Sequence, residues 1–193
     1  MYFHQRALQA AAEGPEPFAQ AAYAMLVSWG MHRMGRGGAK MIDFDKFHRS
    51  IVAQWPNITS LAGKNPGALT ESDWRRIKES FLGIRAMATQ TILVANSKVL
   101  AHALPKLVAP IDRNYTLRQL IGSTNIRNEP EWQWALFRKL HEEFFYPIVS
   151  SPVFQKLANA WLADVANTPW NTSHLKLADN LIIGITGPRS RAS

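Results

Sequence analysis

Apolar side chains recur every three or four residues along almost the whole of this chain, and no convincing run alternates apolar with polar. The stripes are Phe18, Ala22, Met25, Leu26, Trp29; Phe44, Phe47, Ile51, Trp55; Trp74, Ile77, Phe81, Ile84; Phe137, Leu140, Phe144, Ile148; and Phe154, Leu157, Trp161, Leu162, Val165. A period near 3.6 buries one face of a helix, whereas a sheet needs a period of two. The spacing therefore predicts an all-α fold of eight or nine helices. Helix starts are marked as well. Pro17 and Pro152 suit first-turn positions, Asp43 suits a cap, and Thr70 with Asp73 three residues on forms a capping-box pattern. The two clearest loops, Gly35 to Lys40 and Ala62 to Gly67, are too short to link domains. We therefore expect a single domain over residues 1–187, followed by a short flexible basic tail, 188–193.

With 193 residues, 47% of them hydrophobic and 19% charged, the chain can bury one sizeable core and is not a disordered polymer. Trp29, Trp55, Trp74 and Trp161 fall on apolar stripes and are expected in that core, while Trp132, Trp134 and Trp170 are candidates for lining a base pocket. The net charge of +8 favours anionic partners such as nucleic acid or nucleotides. The absence of cysteine excludes disulfides, thiolate nucleophiles and cysteine-ligated metals. The six histidines form no compact ligand set, so neither a metal nor another cofactor is expected. The N-terminus shows no secretory leader pattern and no stretch matches a membrane span, which leads us to expect a cytoplasmic protein without a membrane partner.

The chemistry-bearing stretch runs from Thr91 to Leu117. In Ser97-Lys98-Val99-Leu100 and Pro110-Ile111-Asp112, one lysine and one carboxylate are separated by an apolar helical segment and a connection bounded by Pro105 and Pro110. A lysine near a helix start, next to a carboxylate, can serve as a nucleophile whose proton the carboxylate steers. The same residues would also suit a solvated first turn and a helix cap. His102 follows Lys98 by four residues and so shares its helix face, where it could relay a proton. Over residues 96–118, Lys98, Lys106, Arg113 and Arg118 stand against Asp112 alone, a charge balance that fits a phosphate-tracking face or an ordinary solvated one. The Gly35 to Lys40 loop could hold a phosphate in a backbone nest, but it lacks the Walker A spacing.

This layout, read as helix, tight turn, helix, Pro-bounded connection and an Asp opening the next helix, resembles the helix-hairpin-helix DNA glycosylase superfamily, in particular its 8-oxoguanine branch as found in bacteria. The resemblance covers about 30 residues and the all-α context. It implies a DNA glycosylase, with strand-cleaving activity possible, in which Lys98 is the Schiff-base nucleophile and Asp112 the catalytic carboxylate. His102 would be an accessory to catalysis. It further implies DNA rather than RNA as partner, held by Asn96 and Ser97 of the hairpin with Lys106, Arg113 and Arg118. Val94-Ala95-Asn96-Ser97 stand where the family carries glycines, and Lys98 and Asp112 are closer in sequence than in the familiar enzymes. Two alternatives stay open: a non-enzymatic nucleic-acid-binding or protein-interaction module on the same scaffold, and a pocket for a free modified base or nucleotide.

Overall fold

A computed structural model describes residues 2–33 and 40–186, so the Gly35 to Lys40 loop, but for Lys40, and the tail at 188–193 lie outside the described residues. The periodic stripes become helices: α1 (Tyr2–Ala10), α2 (Pro15–Ser28), α3 (Phe44–Leu61), α4 (Glu71–Gly83) and α5 (Leu93–Ala103). Next come α6, a π turn at Arg113–Leu117 running into Arg118–Ile121, and α7, which spans Pro130–Leu140, a π turn at His141–Phe145 and Tyr146–Ser150. The last two are α8 (Pro152–Ala163) and α9 (His174–Thr186). The β pairing among the described residues is limited to an isolated bridge between Met41 and Met87. The all-α expectation holds.

Local signals account for several boundaries. Asp43 accepts a hydrogen bond from the Lys46 amide at the start of α3, and Thr70 and Asp73 form a reciprocal capping box at α4. Pro152 occupies the first turn of α8, while Pro15 precedes Pro17 in that role at α2. Asp73 is itself buried and is joined by Lys64 at 2.7 Å and Arg76 at 3.4 Å.

The fold is organised around α5. Of its eleven residues only Lys98 and Ala103 are not buried, because α1, α2, α4 and α7 pack around it. A helix apolar on nearly every side belongs in the middle of a bundle. Its first turn has no cap of its own. Gln133 of α7 supplies one, its Oε1 accepting from the Ile92 and Leu93 amides at 2.8 Å each. At the same end Asn96 donates to the Phe81 and Ile84 carbonyls, 2.8 Å each, tying α5 to the last turn of α4. The tight turn expected immediately before Lys98 is absent, since Val94 to Ser97 lie inside α5 and Lys98 stands in mid-helix. Four-residue backbone bonding continues through these positions because none of them is the glycine that a hairpin turn needs.

Two expectations about the core are corrected. The α8 stripe predicted to be buried leaves Leu157, Trp161 and Val165 exposed. Ala158 alone is buried in that helix, because among the described residues α8 packs mainly against α9 and the end of α7. Trp134, a candidate for a base pocket, is instead a core residue stacked on Phe137 and set edge-on to Trp74.

Candidate functional site

Lys98 and Asp112 meet because the connection between them is pinned at three points. Leu107 to Ile111 are all buried, and three of their polar backbone groups find side-chain partners. Tyr146 Oη donates to the Leu107 carbonyl at 2.7 Å, the Ala109 amide donates to His141 Nε2 at 2.9 Å, and the Ile111 amide donates to Ser97 Oγ at 3.0 Å. The last contact returns the chain to α5 one residue before Lys98. Asp112 then caps α6, its Oδ1 accepting from the Asn114 and Tyr115 amides, while its Oδ2 faces the Lys98 amine at 3.4 Å. Both sequence-level readings of Asp112, cap and lysine partner, are thus true of one carboxylate, one oxygen for each.

The pair opens into a cleft of about 300 Å³ lined by Trp29, Pro110, Ile111, Tyr115, Lys176, Asp179 and Ile183. Trp29, expected in the core, is 37% exposed and places its ring 4.9 Å from the Lys98 amine. A cation over an indole face is attracted by the ring quadrupole. Lys176 and Asp179 project from the same face of α9, with 2.6 Å between amine and carboxylate. Three residues apart, they have the spacing of an ordinary pair within one helix; the fold also sets them in the wall of the cleft. Burial pushes the Lys98 amine below its ordinary pKa, against the opposite pull of Asp112. The same desolvation raises the Asp179 carboxyl, with Lys176 opposing it. Mid-helix placement means that no helix-terminus dipole acts on Lys98, so desolvation is the effect that favours its nucleophilic form.

His102 does not present its ring to the Lys98 amine. Its Nδ1 lies 2.7 Å from the Lys98 carbonyl, which can only accept, so the proton sits on Nδ1 and Nε2 is free to accept. His4 Nδ1, 2.7 Å away, fills that role as donor, and His4 Nε2 in turn faces the Thr172 hydroxyl at 3.2 Å. Burial lowers His102 to about 3 and His4 to about 4, so both rings are neutral near pH 7. This directed chain joins α1, α5 and the segment before α9. A proton relay to the amine is not part of it.

The proposed phosphate contacts divide. Asn96 and Ser97 are fully buried, with Asn96 Nδ2 donating to backbone carbonyls and Ser97 Oγ accepting a backbone amide, so neither faces a phosphate. Arg113 donates from Nε to the Thr124 carbonyl at 3.0 Å, and Arg118 is exposed on α6. Lys106 is exposed beside two other grooves, away from the Lys98 cleft. Trp170 lines a separate small cleft with Trp161, and Trp132 lies beneath Arg127. Trp29, Lys176 and Asp179 are charged or aromatic members of the cleft that sequence reasoning did not place in the site. The one signal available for Asp179 was its place one turn after Lys176.

Comparison of the chain with protein-family models, with curated proteins and with solved structures gives no match. The site therefore rests on its own geometry. Among the described residues no group of three or more histidines and carboxylates could hold a metal ion, and no helix is long and apolar enough to cross a membrane.

Proposed function

We propose that this protein is a DNA base-excision enzyme of the lysine Schiff-base type, acting on a damaged purine that has left the helical stack. The observation that carries the reading is a desolvated Lys98 amine 3.4 Å from the Asp112 carboxylate, both facing one small cleft beside an indole ring. A cleft of this size is at the small end of ligand pockets and suits one extruded base and its sugar. On this reading the Lys98 amine attacks the anomeric carbon, and the glycosidic bond breaks with its electron pair leaving on the base. The attached amine gives up its two protons, one to the departing base and one to the ring oxygen, as the bond from the anomeric carbon to that oxygen breaks and the open-chain imine forms. Asp112 stabilises the positive charge that develops on the sugar, and the departing base is protonated.

The test is reductive trapping. Borohydride added during incubation with a duplex carrying an oxidised purine or an abasic site should give a stable covalent complex, and Lys98→Ala should abolish it. Asp112→Asn should slow base release at least a hundredfold while changing DNA binding little, since the carboxylate acts mainly on charge present in the transition state. A folded wild type that binds such duplexes and never traps would sink the proposal.

A second reading has one observation in its favour. The cations expected to track a phosphate backbone do not surround the cleft, with Lys106 on other grooves and the Arg113 guanidinium engaged by Thr124. That arrangement suits a pocket for a free modified base or nucleoside. Saturable quenching of Trp29 fluorescence by free nucleosides, with no affinity for damaged duplex at low salt, would favour it over excision.

A further inference from the structure

Charged side chains hidden in a protein are poor fasteners, because desolvating them costs about as much as their attraction returns, and an apolar pair of similar volume holds a helix as well. The Lys176 and Asp179 side chains are 17% and 4% exposed, and they lie where α9 packs on the π turn of α6. They stand in the same cleft wall as Lys98 and Asp112, so four alternating charges share a space of about 300 Å³. One hydroxyl connects the two pairs. Thr116 Oγ1, fully buried, donates to Asp179 Oδ1 at 3.5 Å and accepts from the Asp112 amide at 3.1 Å.

From this arrangement we propose that Lys176 and Asp179 form a positioning pair of the functional site, holding the Asp112 turn through Thr116 and setting how readily Lys98 gives up its proton. The proposal deepens the Schiff-base reading and rests on it only for the use made of the Lys98 amine. Among the described residues the groups around the Lys98 amine are few: Asp112 and Tyr115 from α6, Lys176 and Asp179 from α9 and Trp29 at the end of α2, with His102 turned to the Lys98 carbonyl and His4 of α1 behind it. The histidines are neutral near pH 7 and the indole carries no charge, which leaves, among the described residues, three charges to govern the amine. Asp112 and Asp179 favour the ammonium form, and Lys176 opposes it. Removing one member of the α9 pair must therefore move Lys98 one way, and removing the other must move it the opposite way. A pair that merely fastened α9 would impose no such antisymmetry.

The experiment reads Lys98 directly and needs no substrate. Brief reductive methylation with formaldehyde and cyanoborohydride across pH 6 to 11, quantified on the Lys98 peptide by mass spectrometry, gives the titration midpoint of the amine in the folded protein. Asp179→Asn should lower that midpoint by about one unit, raising the neutral fraction roughly tenfold at a fixed pH below it. Lys176→Gln should raise it by a similar amount, and Lys176→Arg should restore the wild-type profile. Folded variants with unchanged midpoints, or with both midpoints displaced in one direction, would overturn the proposal. Should Asp179→Asn fail to fold, the Gln and Arg substitutions at Lys176 decide the matter: a midpoint unmoved by Gln refutes it. Opposite shifts in a wild type that never traps on DNA would leave the positioning pair standing and remove the excision chemistry. Trapping with unmoved midpoints would do the reverse.

Discussion

Ser97 shows how one small side chain can decide a site's geometry. Its hydroxyl, fully buried, receives the Ile111 amide and so returns the chain to α5 next to Lys98. Ser97→Ala should leave that buried amide without an acceptor, at a cost of about 1–3 kcal/mol measured by urea unfolding, and should weaken trapping further than the stability loss explains. His141 performs a similar service for Ala109, and it can do so only as a neutral ring. Burial holds it at about 4 in the folded protein, against 6.5 for an ordinary histidine. The unfolded chain therefore binds the extra proton first, so the stability contributed by the neutral ring is present at pH 8, begins to fall as pH drops below 6.5, and is lost by about pH 4. Between pH 8 and pH 5 the loss is about 2 kcal/mol for this residue, by linkage. His4 and His102 add loss in the same direction, because protonating the accepting nitrogen breaks their mutual bond. Chemical denaturation at a series of pH values should show this acid limb, and a folded His141→Gln variant should flatten it.

At the scale of the element, burial separates helices that look alike in sequence. α5 and α8 are both apolar and of similar length, yet nearly all of α5 is enclosed while α8 shows Val153, Leu157 and Trp161 to solvent. Leu157→Ala should cost within about 0.5 kcal/mol, whereas Phe137→Ala, at a fully buried ring, should cost about 3–5 kcal/mol. The start of α5 depends on a residue 40 positions away. Gln133→Leu removes the acceptor for two amides and the donor to the Gln90 carbonyl, and should destabilise the fold by about 2–3 kcal/mol, read from the urea midpoint. α9 couples the other end of the chain to the site, since one face carries Lys176, Asp179 and Ile183 into the cleft. The turns at Asp43 and Thr70 were legible from short-range patterns, as capping is a transaction within four residues. The cap supplied by Gln133 was not, because nothing near α5 announces it.

Over the whole molecule, the charge of +8 is spread so that only part of it stands near the cleft mouth. On the excision reading, DNA affinity should be measurable at low salt and fall steeply as salt rises, with Arg118→Ala lowering the slope of log K against log salt by about one. A slope unchanged in that variant would place the phosphate contacts elsewhere. The sequence by itself determined the helical class and several helix starts, because period and caps are short-range properties of the chain; it marked Lys98 and Asp112 as candidates, but their meeting took Tyr146 and His141 from α7. Tertiary packing decided the rest. An apolar stripe specifies which face of a helix seeks cover but not which neighbour arrives, so Trp134 was enclosed, Trp29 was left at a cleft edge and α8 was covered on one side alone. Asn96 and Ser97 read as polar residues available to a phosphate until α4 and the Pro105 to Pro110 connection closed over them. Asp179 became a neighbour of Asp112 only because α9 packs on the π turn of α6, a contact across 63 residues that no local pattern encodes.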